Sequence, residues 1–410
     1  MKEYVIIGNG VAAAACIEGI RSEDAHGGIT VVSAEDRPVY CRPLISYLLE
    51  GRTDAERMMY RPADFYEKNG CRVLFGRQAI RIIKEGKKIE LDDGSLLPYD
   101  SVCVATGSSP FVPPFEGLAG VSRAFRFMTL DDALALDSAA DRSSRVLIIG
   151  GGLIGLKCAE GLAGRVGEIT VCDLADRVLS SILDEDSAAI MQRRLEENGI
   201  RFLLSDSVIR FEGDCAVMKS GGSVPFDILV LAVGVRANTT LVKNAGGAVG
   251  RGILTDSRME TSIPGVFAAG DCTESYDISG GQKKVLAIWP NASFQGHTAG
   301  VNMAGGNEEF VKGIPMNSIG FFGLHAMTAG TYEGEVYEEK TETSLKRLFT
   351  GEGLLKGFML IGLEERAGIY TSLIRDRVPL DTLDFELLKS TATTAAFSPE
   401  LRRKKFGGVV

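Results

Sequence analysis

Two segments of the chain are near copies of each other: Val5-Ile6-Ile7-Gly8-Asn9-Gly10-Val11 and Leu147-Ile148-Ile149-Gly150-Gly151-Gly152-Leu153, offset by 142 residues. The echo runs on, because Cys16, Glu18 and Gly19 recur as Cys158, Glu160 and Gly161. The repeated object is an apolar strand, a glycine turn and a helix. A chain that carries this unit twice is an α/β protein with two parallel sheets, each binding something at its strand ends.

The residue types say what is bound. The first glycine allows the sharp turn, the second lets backbone approach a pyrophosphate, and the third permits close packing of helix on strand. The second copy has all three, Gly150, Gly152 and Gly155, with Leu153 and Ile154 opening the helix; the first has Gly8 and Gly10 and carries Ala13 in third place. The uncapped helix N-terminus then offers N–H groups to an anion. A second strand follows each unit and ends at a carboxylate, Glu35 after Ile29-Thr30-Val31-Val32 and Asp173 after Ile169-Thr170-Val171-Cys172. This is the position from which an acid accepts hydrogen bonds from ribose hydroxyls. Both units are therefore expected to hold a dinucleotide. Asp173 repels a 2′-phosphate, so NAD(H) is expected there over NADP(H); Arg177 reads either as a solvated neighbour of Asp176 or as an arginine that a bent loop brings to such a phosphate.

Composition removes several other classes. At 410 residues the chain is long enough for two or three domains. A net charge of −9 argues against broad nucleic-acid binding. No apolar run reaches the roughly 20 residues of a membrane helix, and a first strand beginning near Tyr4 leaves no room for a signal peptide. A cytoplasmic protein is expected. Eight cysteines appear without any CxxC or CxxxxC pair, so a redox dithiol is missing, and no spacing suits zinc or an iron–sulfur cluster. No metal is expected. His26, His297 and His325 form no credible acid–base pair and are read as structural.

Between the two units the pattern predicts a helix at about Arg61 to Asn69, then a meander of short strands from Arg72 to Val104 that reads as an insertion. It ends at Ala105-Thr106-Gly107, and Pro113-Pro114 mark a crossing between domains. The second unit closes with Phe226 to Gly234, where Ala232-Val233-Gly234 echoes the earlier segment; another crossing is expected soon after. Gly353 to Gly362 reads as hairpin strands. The basic run Arg402-Arg403-Lys404-Lys405 reads as a solvated tail, with attachment to an acidic partner as the alternative.

Four ordered motifs resemble the pyridine nucleotide-disulfide oxidoreductase superfamily of FAD- and NAD(P)H-binding flavoproteins: the loop at Gly8 to Ala13, Ala105-Thr106-Gly107, the loop at Gly150 to Gly155, and Gly265-Val266-Phe267-Ala268-Ala269-Gly270-Asp271. The resemblance implies two Rossmann-like domains and a small C-terminal α/β domain. It divides the chain into a discontinuous FAD-binding domain (1–113 and 235–312), an inserted NAD(H)-binding domain (114–234) and a C-terminal interface domain and tail (313–410). Tyr40-Cys41-Arg42-Pro43-Leu44-Ile45-Ser46 and Trp289-Pro290-Asn291-Ala292 are similar to the branch containing rubredoxin and ferredoxin reductases and the flavin part of nitrite reductases.

By that resemblance FAD is held by Gly8, Gly10, Ala13, Glu35, Arg42, Pro43, Ala105, Thr106, Gly107, Gly270, Asp271, Trp289 and Ala292. NAD(H) is held by Gly150, Gly152, Leu153, Ile154, Gly155, Asp173 and Gly234. Two residues depart from the pattern and are the candidate catalytic side chains. Cys41 stands one place from the redox cysteine of related NADH oxidases and coenzyme A disulfide reductases. Lys157 stands where the family carries a glutamate near the nicotinamide; it reads either as a cation beside the flavin–nicotinamide stack or as a helix-face partner of Glu160. The function implied is transfer of electrons between NADH and a redox protein, or a partner metalloenzyme subunit, through FAD. Two alternatives stand beside it: a stand-alone oxidase or small-molecule disulfide reductase using Cys41, and a flavin-binding interaction protein with slow NADH chemistry. No nucleic acid and no membrane partner is expected, and the C-terminal domain is the expected site of any oligomer contact.

Overall fold

The computed structural model describes residues 1–363 and 365–406. Two five-stranded parallel sheets and one five-stranded antiparallel sheet organise it. In the first sheet the order in space is Val266–Ala268, Ser101–Val104, Glu3–Ile7, Gly28–Ser33, Cys71–Phe75. In the second it is Ile200–Leu203, Glu168–Cys172, Arg145–Ile149, Ile228–Leu231, Ala124–Phe125. The strands are Val- and Ile-rich runs buried on both faces, as parallel strands covered by helices must be. The second sheet is complete before the chain returns to supply Val266–Ala268 to the first, so one α/β unit is discontinuous and the other is inserted into it. The two crossings, Ser108–Pro110 and Val235–Ala237, pair antiparallel as a narrow ribbon, with Arg236 stacked 3.8 Å over the Phe111 ring.

The echo in sequence is an echo in space. Gly8 and Gly150 donate to Val32 O and Cys172 O, each at 2.8 Å, and both adopt left-handed backbone, φ 110° and 116°. Ala105 N and Ala232 N complete the pattern by bonding Ile7 O and Ile149 O at 2.7 and 2.8 Å.

Two expectations change. The helix expected at Arg61 to Asn69 is only Phe65–Lys68. Pro62 cannot donate a helical hydrogen bond, and Arg61 is instead drawn across to the first glycine-turn helix, where it makes a two-pronged pair with Glu18 at 2.8 and 2.9 Å. The strands from Arg72 to Val104 are not one insertion: the first and last belong to the first parallel sheet. Only Ala79–Ile83, Lys88–Leu91 and Leu96–Pro98 form a separate antiparallel sheet.

The C-terminal sheet runs Met316–Phe321, Leu324–Gly330, Leu354–Ile361, Leu345–Gly351, Glu335–Lys340 in spatial order, with all pairings antiparallel. The helix Ala367–Arg375 packs on it, burying Tyr370 and Leu373. The basic run lies on the helix Pro399–Phe406, and the side chains of Lys404 and Lys405 fall outside the described residues. A single apolar core joins three distant stretches of sequence: Tyr40, Ile45 and Leu49; Ile148, Leu156 and Leu162; Phe321, Leu324 and Ile361. Among the described residues no helix is long and apolar enough to cross a membrane.

Candidate functional site

The first glycine-turn helix, Val11–Glu23, and the long helix Trp289–Ala304 lie side by side in parallel, at a spacing only small residues permit. A Cβ on Gly296 would meet Ala12 O at 2.1 Å, and one on Gly300 would meet Cys16 O at 2.1 Å. The contact is reciprocal, since a Cβ on Gly19 would meet His297 O at 2.3 Å.

At the start of Val11–Glu23, Gly10 is the N-cap, no side chain caps it, and a Cβ there would meet nothing within 4 Å. Gly8, by contrast, is pressed against Ala105 O, 2.2 Å from where its Cβ would be. The turn is closed on its protein side and open on the other, which is the shape of an anion cradle. Ala13 is fully buried on the packed face. Gly270, φ 84°, sits between Ala12 and Ala292, and Gln295, also buried, accepts from Gly270 N at 2.7 Å. Asp271 follows. Burial pushes its carboxyl above the ordinary range, while the Ser108 hydroxyl at 3.4 Å and Arg42 pull it back.

Arg42 ties the site together. It pairs with Glu35 at 2.5 Å, donates to Met128 O at 3.0 Å and stacks 5.1 Å over the Tyr40 ring. Tyr40 in turn donates to Glu35 at 2.8 Å and accepts from Leu130 N at 3.0 Å, at the start of the helix Leu130–Ala139. Glu35 is therefore held from two sides rather than standing free at its strand end. Thr106 and Gly107 are pinned by Asn238, whose amide donates to Thr106 O at 2.8 Å and whose backbone N bonds Gly107 O at 3.0 Å. Pro43, next in sequence to Arg42, is exposed. Trp289 meets the Tyr60 ring edge-on at 4.9 Å.

The second glycine turn repeats the shape. Gly152 is an uncapped N-cap with open space before it, and Gly150 presses on Ala232 O at 2.2 Å. Gly155 is tighter still, 1.9 Å from Gly150 O, which is why this copy needs glycine where the first tolerates Ala13. Leu153 and Ile154 are half-buried at the helix start, and Gly234, φ 105°, follows the closing strand. Asp173 folds back on the turn: Oδ2 accepts from Gly151 N at 2.6 Å and Oδ1 from Ala175 N at 2.7 Å. Arg177 pairs with Asp176 at 2.7 Å and donates to Leu183 O at 3.2 Å.

The two halves meet at Ile45–Leu49, a short helix that directly follows the Tyr40–Ser46 segment and packs on Leu153–Leu162. Its last carbonyl, Leu49 O, accepts from Arg165. Cys41 is half-buried and its thiol is pushed up by burial, with the Leu44 amide opposing. Lys157 is bonded to Glu160 and Gly320 O, each at 2.5 Å. Among the described residues no cluster of His, Cys, Asp and Glu could hold a metal ion. The sequence reading gave no supporting role to Tyr40, Asn238 or Ser108; nothing in spacing marks Asn238 and Ser108, which act across 132 and 163 residues of chain, whereas Tyr40 reaches Leu130 N across 90 residues and Glu35 across only five.

Comparison with known proteins agrees with this geometry. The model of the pyridine nucleotide-disulphide oxidoreductase family matches residues 2–296. The NADH-dependent phenylglyoxylate dehydrogenase subunit epsilon of Aromatoleum evansii is 31% identical over 396 residues, covering 93% of each chain. The nitrite reductase [NAD(P)H] of Bacillus subtilis (strain 168) is 31% identical over 373 residues, 88% of this chain but 44% of that protein. The crystal structure of putidaredoxin reductase in its covalent complex with putidaredoxin superimposes with a TM-score of 0.87 at 23% identity, covering 95% of both chains, and so shares the fold. The chain belongs to the pyridine nucleotide-disulphide oxidoreductase family. It is an NAD(P)H-dependent flavoprotein oxidoreductase whose cofactors are FAD and NADH.

Proposed function

We propose that this chain passes electrons between NADH and a redox protein, or a metalloenzyme subunit to which it is attached, through FAD. FAD is assigned to the first turn and its neighbours, namely Gly8, Gly10, Ala13, Glu35, Arg42, Pro43, Ala105, Thr106, Gly107, Gly270, Asp271, Trp289 and Ala292. NADH is assigned to Gly150, Gly152, Leu153, Ile154, Gly155, Asp173 and Gly234. The domains are taken as 1–113 with 235–312, 114–234, and 313–410.

The observation that carries the reading is the contact between Ile45–Leu49 and Leu153–Leu162, which brings the element after the FAD segment directly onto the helix of the second glycine turn. Bound FAD supplies the hydride and single-electron chemistry. The chain's residues bind and orient: the uncapped amides at Gly10 and Gly152 take the pyrophosphates, Arg42 supplies a fixed positive charge between Glu35 and Asp271, and the three-way apolar core excludes water from the junction. Delivery to a partner rather than to a thiol is supported by the lack of a dithiol and by burial at Cys41, which disfavours a thiolate. The epsilon subunit that spans the same length is itself a component of a larger enzyme, which supports the attached-subunit version.

The test is anaerobic mixing of the purified holoprotein with NADH. Flavin absorbance is expected to bleach within seconds; bleaching over minutes would move the interaction-protein alternative ahead. Purification from the native host then separates a mobile carrier, which is lost, from a permanent partner, which travels with the chain.

A further inference from the structure

Lys157 and Glu160 lie on Leu153–Leu162, one and two turns beyond the second glycine turn, and both are largely withdrawn from water: their side chains are 21% and 9% exposed. The ammonium donates to Glu160 Oε2 and to Gly320 O at 2.5 Å each, and it lies 4.7 Å from the centroid of the Phe321 ring and 5.5 Å from that of Tyr47. Glu160 Oε1 meanwhile accepts from Phe322 N at 2.7 Å. Gly320 to Phe322 form the end of a hairpin in the C-terminal sheet whose two turn residues, Phe322 and Gly323, both take left-handed backbone, φ 46° and 81°. A left-handed phenylalanine is a strained choice for such a turn, and the Glu160 bond to its amide holds it there. Tyr47 belongs to Ile45–Leu49. One ion pair therefore touches the FAD-side helix, the NAD-side helix and the C-terminal turn.

We propose that Lys157 is a positioning residue for hydride transfer: with Glu160 it fixes the second glycine-turn helix against both the Ile45–Leu49 helix and the Gly320–Phe322 turn, and so sets the approach of the two dinucleotides. The inference rests on the cofactor assignment above. Lys157 rides on the same rigid helix as Gly152 and Gly155, so a shift at its Nζ is a shift of the pyrophosphate cradle. With two acceptors and an aromatic face already engaged, it is not placed as a free cation for a phosphate. Lys157 finds its counter-charge three residues along the same helix and its second acceptor in the C-terminal sheet.

The test uses FAD-loaded protein and three variants: Lys157→Met, Lys157→Arg, and the double change Lys157→Met with Glu160→Gln. The single Met variant leaves a buried carboxylate without its partner and is expected to lose stability. The double variant removes both charges and is expected to keep its FAD and its melting temperature. In it, flavin reduction at saturating NADH should slow by about tenfold or more while the KM for NADH moves by less than about threefold, because misplacement by a fraction of an ångström acts on the reacting geometry rather than on binding. The long-wavelength charge-transfer absorbance of reduced flavin with NAD⁺ should weaken, and amide hydrogen exchange at residues 320–324 should accelerate. Lys157→Arg should recover most of the rate. A double variant with normal reduction and normal charge-transfer absorbance overturns the proposal, even if exchange at the turn rises. Failure of the unaltered protein to bleach with NADH would instead overturn the cofactor reading.

Discussion

Gly161 of the second glycine-turn helix lies directly on Leu49: a Cβ added at Gly161 would stand 2.8 Å from the Leu49 Cβ and 2.9 Å from Ser46 O. Its counterpart in the first copy, Gly19, is pressed as closely on His297 O, at 2.3 Å. In each copy the glycine six residues beyond the third position of the turn seats the helix on another helix. In the first copy the partner is Trp289–Ala304 and in the second it is Ile45–Leu49, so the same repeated residue packs a helix pair inside the first unit in one place and builds the junction in the other.

Gly161→Ala should therefore act on the junction rather than on either cradle. One of the opposing atoms is backbone, so the helices must separate, at a cost of about 1–3 kcal/mol. We expect a lowered melting temperature with FAD content retained, and a fall in the anaerobic reduction rate of about tenfold or more from the misplaced geometry. A variant that melts lower but reduces at the normal rate would show that the spacing is not tuned to the chemistry.

What the sequence made legible follows from what is local. Glycine turns, apolar strands and the acid at the next strand's end are encoded within about 30 residues, so both α/β units and Asp173 could be read directly. Glu35 was legible as a position but not as an environment, because Arg42 and Tyr40 reach it through side-chain geometry that no spacing records. The same holds for Asn238, which pins Thr106 from 132 residues away. Lys157 was readable as a departure, and Glu160 as its neighbour; the third partner, Gly320 O, lies 163 residues on, in a sheet whose docking is a property of the apolar core. Arg61 to Asn69 shows the converse failure, where helix-forming residues are overridden by the pull of Glu18 on Arg61.

Cys41→Ser should leave electron transfer nearly intact. A redox thiol needs a lowered pKa and an open approach, and burial at Cys41 acts in the opposite direction. Steady-state transfer to a dye acceptor and anaerobic reduction should both stay within about twofold of the unaltered protein, a change of under about 0.5 kcal/mol in barrier. A large loss with normal FAD content would move the thiol-dependent alternative ahead.

Acid should release one identifiable tie in the second parallel sheet. Asp227 accepts from Arg145 Nε, Nη2 and backbone N at 2.9, 2.9 and 2.8 Å, joining the starts of two adjacent strands, and these bonds lower its carboxyl to about 2 from 3.8. A carboxylate held down in the fold contributes stability in full above its unfolded value and gives it up as pH falls through its folded one. Asp227→Asn should thus be less stable than the unaltered protein at pH 7, and the gap should close between about pH 4 and pH 2. Its side chain is 39% exposed, so water screens the pair and the gap at pH 7 should be no more than about 1 kcal/mol. Urea midpoints at pH 7 and pH 3 measure it; a gap that does not narrow would assign the effect to packing.

Dinucleotide choice should turn on Asp173. Both its oxygens already bond backbone amides of the turn, which fixes the carboxylate at the strand end and leaves each oxygen one further acceptor site. Beside it Leu174 is 71% exposed, an apolar surface next to the acid proposed to bind ribose, and Arg177 is held by Asp176 and Leu183 O. Asp173→Ala removes an acceptor for two hydroxyls and loosens Gly151, so kcat/KM for NADH should fall by about 100-fold while that for NADPH, which the acid repels, should change far less. Adding Leu174→Arg to that variant should raise NADPH use further, since a guanidinium there has open space and no competing acceptor from Asp173. Arg177→Ala should leave the ratio unaltered, because its guanidinium is already engaged within its own loop. An unchanged preference in Asp173→Ala would detach the ribose from this residue and with it the assignment of NADH to the second turn.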